Sequence, residues 1–488
     1  MGGADRGRGE YHDSDDFLVE PMRRPVTAAG GTLLARLGAI VGGDRVLPGA
    51  AVRRRAAAWQ THQPCHAEAM VLPVSTDEVA AVLAACHAAR RPVVPYGGVT
   101  NLVQGCATTA ADIVLSLERM NAVEEVDGTA RTLVAQAGVT LAAAQQAADE
   151  AGLFYPVDIG ARDSCTLGGT IATNAGGTKV IRYGMTRDNI LGLEAVLADG
   201  TVLTSMNRYI KNNSGFDLKQ LFIGSEGQLG VVTRAVVRLA DKPASHNVAL
   251  LACDDYGDVL AVLAQARRLL GGNLCGFEVM WHGFYSRVTQ PGGRQPAPIP
   301  PQHAYYVIVE AMGPCPAADD EAFALAMTTL FSGNHVADGV VAKSDSERSA
   351  IWAIRHDVEW IVSGARNFDV SLRVADAAAY VDAVSGAIGE RLPQAHVAAF
   401  GHLGDNNIHL SVVSNDGSEL DVACIEEQVY RQLQPYRGAI SAEHGIGLEK
   451  RAWLAHSRSA EEIDAMRQLK RALDPRGILN PGKVLSDA

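Results

Sequence analysis

The sequence predicts an α+β chain built in two parts, and three observations carry that expectation. Residues 70–96 hold a β-α-β unit: MVLPV reads as a strand, Ser75 and Glu78 form a capping-box pattern, the alanine-rich run to Ala89 is helical, and PVVPY is a second strand. Two stretches alternate apolar and polar residues around an Asp-Gly pair, 122–138 at Asp127-Gly128 and 192–203 at Asp199-Gly200, which is a hairpin signal. Finally, 488 residues exceed what one core holds, and alternating strands and alanine-rich helices resume near Lys242. The front half is therefore expected as helices with a mixed sheet.

The remaining elements follow in order. Residues 1–26 are rich in Gly, Arg and Asp, lack periodicity, and are expected as a mobile tail. IVLSL is a further strand, and Thr140 starts a helix that Gly152 ends. The proline-rich stretch QPGGRQPAPIPPQ, residues 290–302, is expected as a surface loop rather than a core element. The last helix, EEIDAMRQLKRAL, stops at Asp474-Pro475.

Composition narrows the function classes. Hydrophobic content of 47% with 20% charged residues belongs to a folded chain. Forty-three basic against 55 acidic residues, a formal charge of -12, disfavours nucleic acid as a partner. No apolar run approaches the ~18 residues that cross a bilayer, and the first residues are polar rather than a signal peptide, so a cytoplasmic protein is expected. Eight cysteines are scattered with no C-x-x-C pair, which reads as reduced structural thiols.

Three glycine-rich stretches stand in the front half. PYGGVTNL, 95–102, follows a strand; its adjacent glycines would let backbone N–H groups approach a pyrophosphate, although a plain tight turn reads the same way. There is no G-x-G-x-x-G at a strand-helix junction and no P-loop, so a dinucleotide must be held differently. In 156–184, Gly168, Gly169, Gly176 and Gly177 strip the backbone of side chains, as if something flat lay against it. FIGSEGQLGVVT, 222–233, is a third such segment or a turn feeding a strand.

The rear half holds GHLGDNNIHL. His402 and His409 could bind a borderline metal such as zinc or manganese, or could be satisfied core histidines. Glu443 in SAEHGIGLEK offers a third ligand, and at a turn His444 can reach the same cavity. Arg355 lies beside an apolar helix face of Ile351, Ile354, Val358 and Ile361, where it either snorkels or clamps a carboxylate.

In this order, PYGGVTNL, TLGGTIATNAGG, FIGSEGQLGVVT, GHLGDNNIHL, SAEHGIGLEKR and LDPRGILNPGKV resemble the FAD-linked D-2-hydroxyacid dehydrogenases of the vanillyl-alcohol-oxidase-like superfamily, over residues 65–485. The members it most resembles are D-2-hydroxyglutarate and D-lactate dehydrogenases. The resemblance implies a two-part FAD-binding domain of the PCMH type over 27–242. It also implies a substrate or cap domain with an antiparallel sheet and helices over 243–430, and a C-terminal helical segment, 431–488, that returns to the flavin. It places the pyrophosphate on Pro95, Tyr96, Gly97, Gly98, Val99, Thr100, Asn101 and Leu102. The ribityl chain and flavin would lie along Pro156, Asp158, Thr166, Gly168, Gly169, Thr173, Asn174, Gly176 and Gly177. Glu226, Gly227, Gly230 and Val232 would flank the adenine and Asn480 the isoalloxazine; 95–102 holds no histidine, so FAD should be noncovalent.

The same resemblance implies a divalent metal, Zn or Mn, on His402, His409 and Glu443, with His444 as base and Arg355 on a substrate carboxylate. The reaction implied is oxidation of a D-2-hydroxy acid to the 2-oxo acid, with electrons leaving to a carrier protein or quinone. An oxygen-using oxidase of the same fold and a flavin-free metallohydrolase are the alternatives, and the chain could pair as a homodimer. Hydroxyglutarate-specific members carry threonine, lysine and asparagine where this chain has Glu359, Asn367 and Ser411. A glutamate there would repel a second carboxylate unless Arg366 or Arg373 compensates. Asn406 replaces a usual glycine and tolerates positive φ.

Overall fold

The computed structural model describes residues 31–58, 63–290, 293–362 and 365–486, so the expected tail, 1–26, lies outside the described residues. The front half contains two main sheets rather than one mixed sheet. The β-α-β unit pairs Ala69–Val71, Ile113–Ser116 and Val93–Tyr96 in parallel, with Val46–Pro48 antiparallel on one edge. The other edge is taken by the C-terminus: Val93 N–H donates to Ile478 O at 2.7 Å and Asn480 N–H to Val93 O at 2.8 Å. Both edges being occupied, the hairpins form their own five-stranded antiparallel sheet, Val123–Asp127, Thr132–Gln136, Val231–Arg238, Ile190–Val196 and Val202–Ser205.

Local chemistry explains the turns. The helix Thr76–Ala89 begins where Ser75 Oγ accepts from Glu78 N–H at 3.2 Å, but Glu78 Oε2 accepts from Val74 N–H, one residue before the reciprocal partner a capping box requires. In the first hairpin Asp127 Oδ1 accepts from Thr129 and Ala130 N–H, both at 2.8 Å, and the left-handed residue is Arg131, not Gly128. The loop is therefore longer than a two-residue Asp-Gly turn.

The rear half is a seven-stranded antiparallel sheet in the order Asp338–Val341, Ser245–Cys253, Tyr305–Gly313, Leu274–Trp281, Ala395–Gly401, Asn407–Ser414, Ala365–Ser371. Val248, Leu250 and Ala252 pack on one face, and Ala249, Leu251 and Cys253 on the other. Burial on both faces is why that strand reads as an unbroken apolar run. Among the described residues no helix is long and apolar enough to cross a membrane.

Two expectations are corrected here. Residues 291–292 of the proline-rich stretch lie outside the described residues, but Ile299 is fully buried and its carbonyl accepts from Tyr285 Oη at 2.8 Å, so that loop is anchored in the core. The helix carrying Arg355 does not run to Ile361. It spans Asp345–His356 and breaks at Asp357, whose carbonyl accepts from Trp360 Nε1 at 2.9 Å, before a short helix Glu359–Val362.

A buried ion pair joins the halves: Lys179, within the second glycine-rich stretch, meets Glu310 of the rear sheet. His246 Nε2 at 2.7 Å, Trp352 Nε1 at 3.1 Å and the Cys275 thiol at 3.4 Å also meet the carboxylate. Burial alone would push Glu310 up, but Lys179 and His246 outweigh it and hold the carboxyl at about 2. A carboxyl depressed on folding contributes stability above its unfolded value of 4.5 and loses it as pH falls toward 2. Glu310→Gln should flatten that acid limb and, by leaving Lys179 uncompensated, cost on the order of 3–5 kcal/mol at neutral pH, read as a lowered thermal midpoint.

Candidate active site

A cavity of about 1490 Å³ lies where the halves meet, larger than the roughly 300–1,000 Å³ of an ordinary ligand pocket. Its front wall is made by two glycine-rich segments in direct contact. A Cβ on Gly98 would overlap the Ser164 carbonyl oxygen, and one on Gly177, at φ 97°, would overlap that of Asp158. These glycines let backbone pack on backbone, which is a different reason from the ligand approach that the sequence brought to mind.

Residues 95–102 line the cavity together with Asp158, Thr166, Gly168, Gly169, Thr173, Gly177, Gly227, Gly230, Val232 and Asn480. Three of the residues expected on FAD stand behind that wall. Pro156 is buried. Asn174, at φ 51°, caps the helix Leu167–Thr173 and accepts from Arg187 N–H at 2.9 Å. A Cβ on Gly176 would come 3.3 Å from Glu443 Oε2, so this glycine makes room for the acid. Glu226 also lines the cavity, but its two oxygens accept from Ile446 and Gly447 N–H at 2.7 and 2.9 Å, stapling loop 445–447 to the front wall; burial raises its carboxyl.

The group that must fit here is large and carries hydrogen-bonding edges. Asn480 donates from Nδ2 to Glu226 O at 2.8 Å, while its buried Oδ1 has no hydrogen-bond partner among the described residues. A long cavity walled by bare backbone, with a buried acceptor left to satisfy, fits an isoalloxazine dinucleotide.

On the rear wall the two histidines come from one hairpin. Phe400 pairs with His409 across strands Ala395–Gly401 and Asn407–Ser414, and His402 follows the first strand, so their rings lie 5.2 Å apart. Asn406 makes the turn at φ 75° and donates from Nδ2 to Leu372 O. Glu443 completes a group whose ligand atoms all lie within 4.8 Å of one another, with Oε1 3.9 Å from His402 Nε2 and 3.7 Å from His409 Nε2. Two imidazoles and a carboxylate suit zinc or manganese.

Two buried acids that sequence reasoning missed hold this cluster. Glu278 accepts from His402 Nδ1 at 2.7 Å through one oxygen and from Arg355 Nε at 2.8 Å through the other. Asp369, with no exposed surface, accepts from the backbone N–H groups of Ala442, Glu443 and His444 at 2.8–2.9 Å, lies 3.2 Å from His444 Nδ1, and pairs with Lys450. Burial opposes charge on both histidines; Glu278 outweighs it at His402, which is raised, while at His409 the neighbouring cations add to it and the ring is driven well below its ordinary value. His409 is thus neutral, the form that ligates. The signal available in the text was an acid interrupting an apolar strand, as in CGFEVMW and NFDVSL.

The substrate positions diverge. Arg355 is buried rather than snorkelling to solvent, with its guanidinium 4.5 Å over the Phe400 ring, and it lines the cavity. Glu359 sits at the rim, its side chain 78% exposed and paired with Arg294 at 2.5 Å. Ser411 donates to Asn367 Oδ1 at 2.7 Å, and Asn367 Nδ2 donates to Ile361 O. Neither compensating arginine is available in the structure: Arg366 is held by Glu426 and Glu449, and Arg373 is off the cavity, exposed and bound to Asp376.

Residues 67–205 match the FAD binding domain family and residues 242–484 the family of FAD linked oxidases, C-terminal domain. The chain is 40% identical to D-2-hydroxyglutarate dehydrogenase of Xanthomonas citri pv. viticola, covering 85% of this chain and 89% of that one. It is 39% identical to the mitochondrial D-2-hydroxyglutarate dehydrogenase of Bos taurus over 85% and 76%, and 34% identical to D-2-hydroxyglutarate–pyruvate transhydrogenase of Saccharomyces cerevisiae over 88% of each. In fold it is similar to p-cresol methylhydroxylase, with a TM-score of 0.75 at 16% identity over 93% of this chain and 96% of that one. Alkyldihydroxyacetonephosphate synthase aligns with a TM-score of 0.70 at 17% identity, over 92% and 84%. With the bipartite cavity, the two matched domains and these relatives together, the chain belongs to the FAD-linked oxidase family that includes the D-2-hydroxyglutarate dehydrogenases, and is a flavin-dependent oxidoreductase.

Proposed function

We propose that the protein oxidises a D-2-hydroxy acid to the 2-oxo acid. The observation that carries this reading is one cavity shared by the glycine-walled half and by Arg355, His402, His409, Glu443 and His444. When bound, noncovalent FAD would supply the hydride acceptor, and a divalent cation, zinc or manganese, held by His402, His409 and Glu443 would supply Lewis acidity toward the substrate hydroxyl.

The chain's own residues do the rest. Arg355, its Nε already taken by Glu278, keeps its outer guanidinium nitrogens for the substrate carboxylate. With Nδ1 of His444 facing Asp369, Nε2 is the nitrogen that takes the hydroxyl proton. Gly177 N–H donates to Glu443 Oε2 at 3.1 Å, tying the acid to the flavin-side wall, so the two halves of the reaction are registered against each other. A carrier protein or quinone would reoxidise the flavin in this reading.

His444→Ala should lower turnover by about 10²–10⁴-fold with the flavin absorbance retained; unchanged turnover would remove it as the base. Treatment with a chelator should abolish turnover while leaving the flavin spectrum intact, and full activity in a metal-free sample would refute the metal role. Asp369→Asn leaves Lys450 buried without its countercharge and should cost on the order of 3–5 kcal/mol of stability. Thermal melts and turnover at low temperature, measured together, should both fall.

A further inference from the structure

Apart from the outer nitrogens of Arg355, which suffice for one carboxylate, the cationic groups at the substrate end of the cavity are held by acids. Arg294 at the rim faces two acids, Glu359 at 2.5 Å and Asp357 at 3.5 Å. Arg366 likewise faces two, Glu426 at 2.5 Å and Glu449 at 2.9 Å. Lys450 is paired with Asp369, and Arg355 with Glu278. Arg162, on the front wall, lies 3.3 Å from Asp158. His356 also lines the cavity, but burial and the adjacent Arg355 charge drive it down to about 4, so it adds no positive charge at neutral pH. Every cation lining the cavity among the described residues thus touches a carboxylate, and two of them touch a pair.

The polar side chains there are similarly engaged, Ser411 with Asn367 and Asn367 with the Ile361 carbonyl. Between them the wall is apolar and aromatic: Val358, Trp360, Ile361, Phe368, Phe400 and Tyr430. Phe400 stands next to the reacting groups, with its ring 5.1 Å from that of His409 and 4.5 Å from the Arg355 guanidinium. A second carboxylate moved into such a wall loses its water and meets only cations already held by acids, whereas an alkyl or aryl group gains by burial.

We infer that the site takes 2-hydroxy monocarboxylic acids bearing a bulky apolar or aromatic group on C2, in preference to 2-hydroxy dicarboxylic acids. The inference rests on the 2-hydroxy-acid reading above and narrows it. Arg355 serves the single carboxylate, and the aromatic wall receives the substituent. The oxidation itself is unchanged: FAD, when bound, would supply the hydride acceptor for C2, and His444 would take the hydroxyl proton.

The test uses the purified FAD-loaded enzyme with its metal, reduced anaerobically by D-3-phenyllactate, D-2-hydroxyisocaproate and D-2-hydroxyglutarate, with flavin bleaching followed by stopped flow. Both apolar acids should exceed D-2-hydroxyglutarate in second-order bleaching rate by at least ~10-fold, the scale on which a hydrophobic pocket discriminates. D-2-hydroxyglutarate matching or beating them overturns the inference and leaves the 2-hydroxy-acid reading standing, whereas bleaching by none of the three overturns both. As a second measurement, phenylpyruvate should perturb the oxidised flavin spectrum at lower concentration than 2-oxoglutarate; the reverse order sinks the preference even if turnover is slow with all three.

Discussion

Asp369 is a carboxylate shut away from water in the middle of a strand, and its need for partners organises the catalytic wall. Three consecutive backbone N–H groups of residues 442–444 converge on one of its oxygens, and Lys450 and His444 Nδ1 approach the other. Successive amides turned toward one anion form an anion-binding concavity, here filled by a side chain rather than by a ligand. The loop so gripped carries Glu443 and His444, and strand pairing sets Asp369 directly opposite His409. One buried acid therefore positions Glu443, His444 and the strand that carries His409. Burial would push its carboxyl up, yet His444 and Lys450 hold it at about 2, which keeps the anion charged and the loop gripped.

The same device recurs twice in the same sheet. Glu278 orients His402 and Arg355 with its two oxygens. Glu310 receives Lys179 from the front half and the indole N–H of Trp352, one helical turn before Arg355. In a low-dielectric interior an unpartnered carboxylate costs several kcal/mol, so each acid fixes the geometry of what it touches more firmly than an apolar contact could. The preorganised donors that oxidation of a charged substrate demands are thus supplied from behind the visible cavity wall.

The front half works by removal instead of by charge. Gly98 against Ser164 and Gly177 against Asp158 each bring backbone so close that no side chain fits between, leaving a wall of backbone. Glu226 and Glu443 then stitch this wall to the rear loop, through the amides of Ile446 and Gly447 in one direction and of Gly177 in the other. The C-terminal residues 478–480 pair with Val93 at the edge of the first sheet and bring Asn480 to the cavity. The glycine-lined wall and the histidine-bearing wall are therefore built by reciprocal contacts rather than as separate modules.

Taken alone, the amino-acid sequence determined the α+β class, the β-α-β unit and both hairpins, and it singled out His402, His409, Glu443 and His444, which meet in one cavity. These are local or motif-borne: period, turn residues and tight glycine clusters act over a few residues, and the order of the motifs carries the resemblance. Tertiary structure alone decided the split into separate sheets, the break of the Arg355 helix at Asp357, and the engagement of Arg366, Asn367 and Ser411 with protein partners instead of leaving them free. It also decided which acids are buried, since Glu278, Glu310 and Asp369 differ from surface acids only in what lies across the sheet from them. Pairing between residues tens to hundreds of positions apart leaves no periodic trace in the chain, so the electrostatics that tune the site emerge only once the strands are laid side by side.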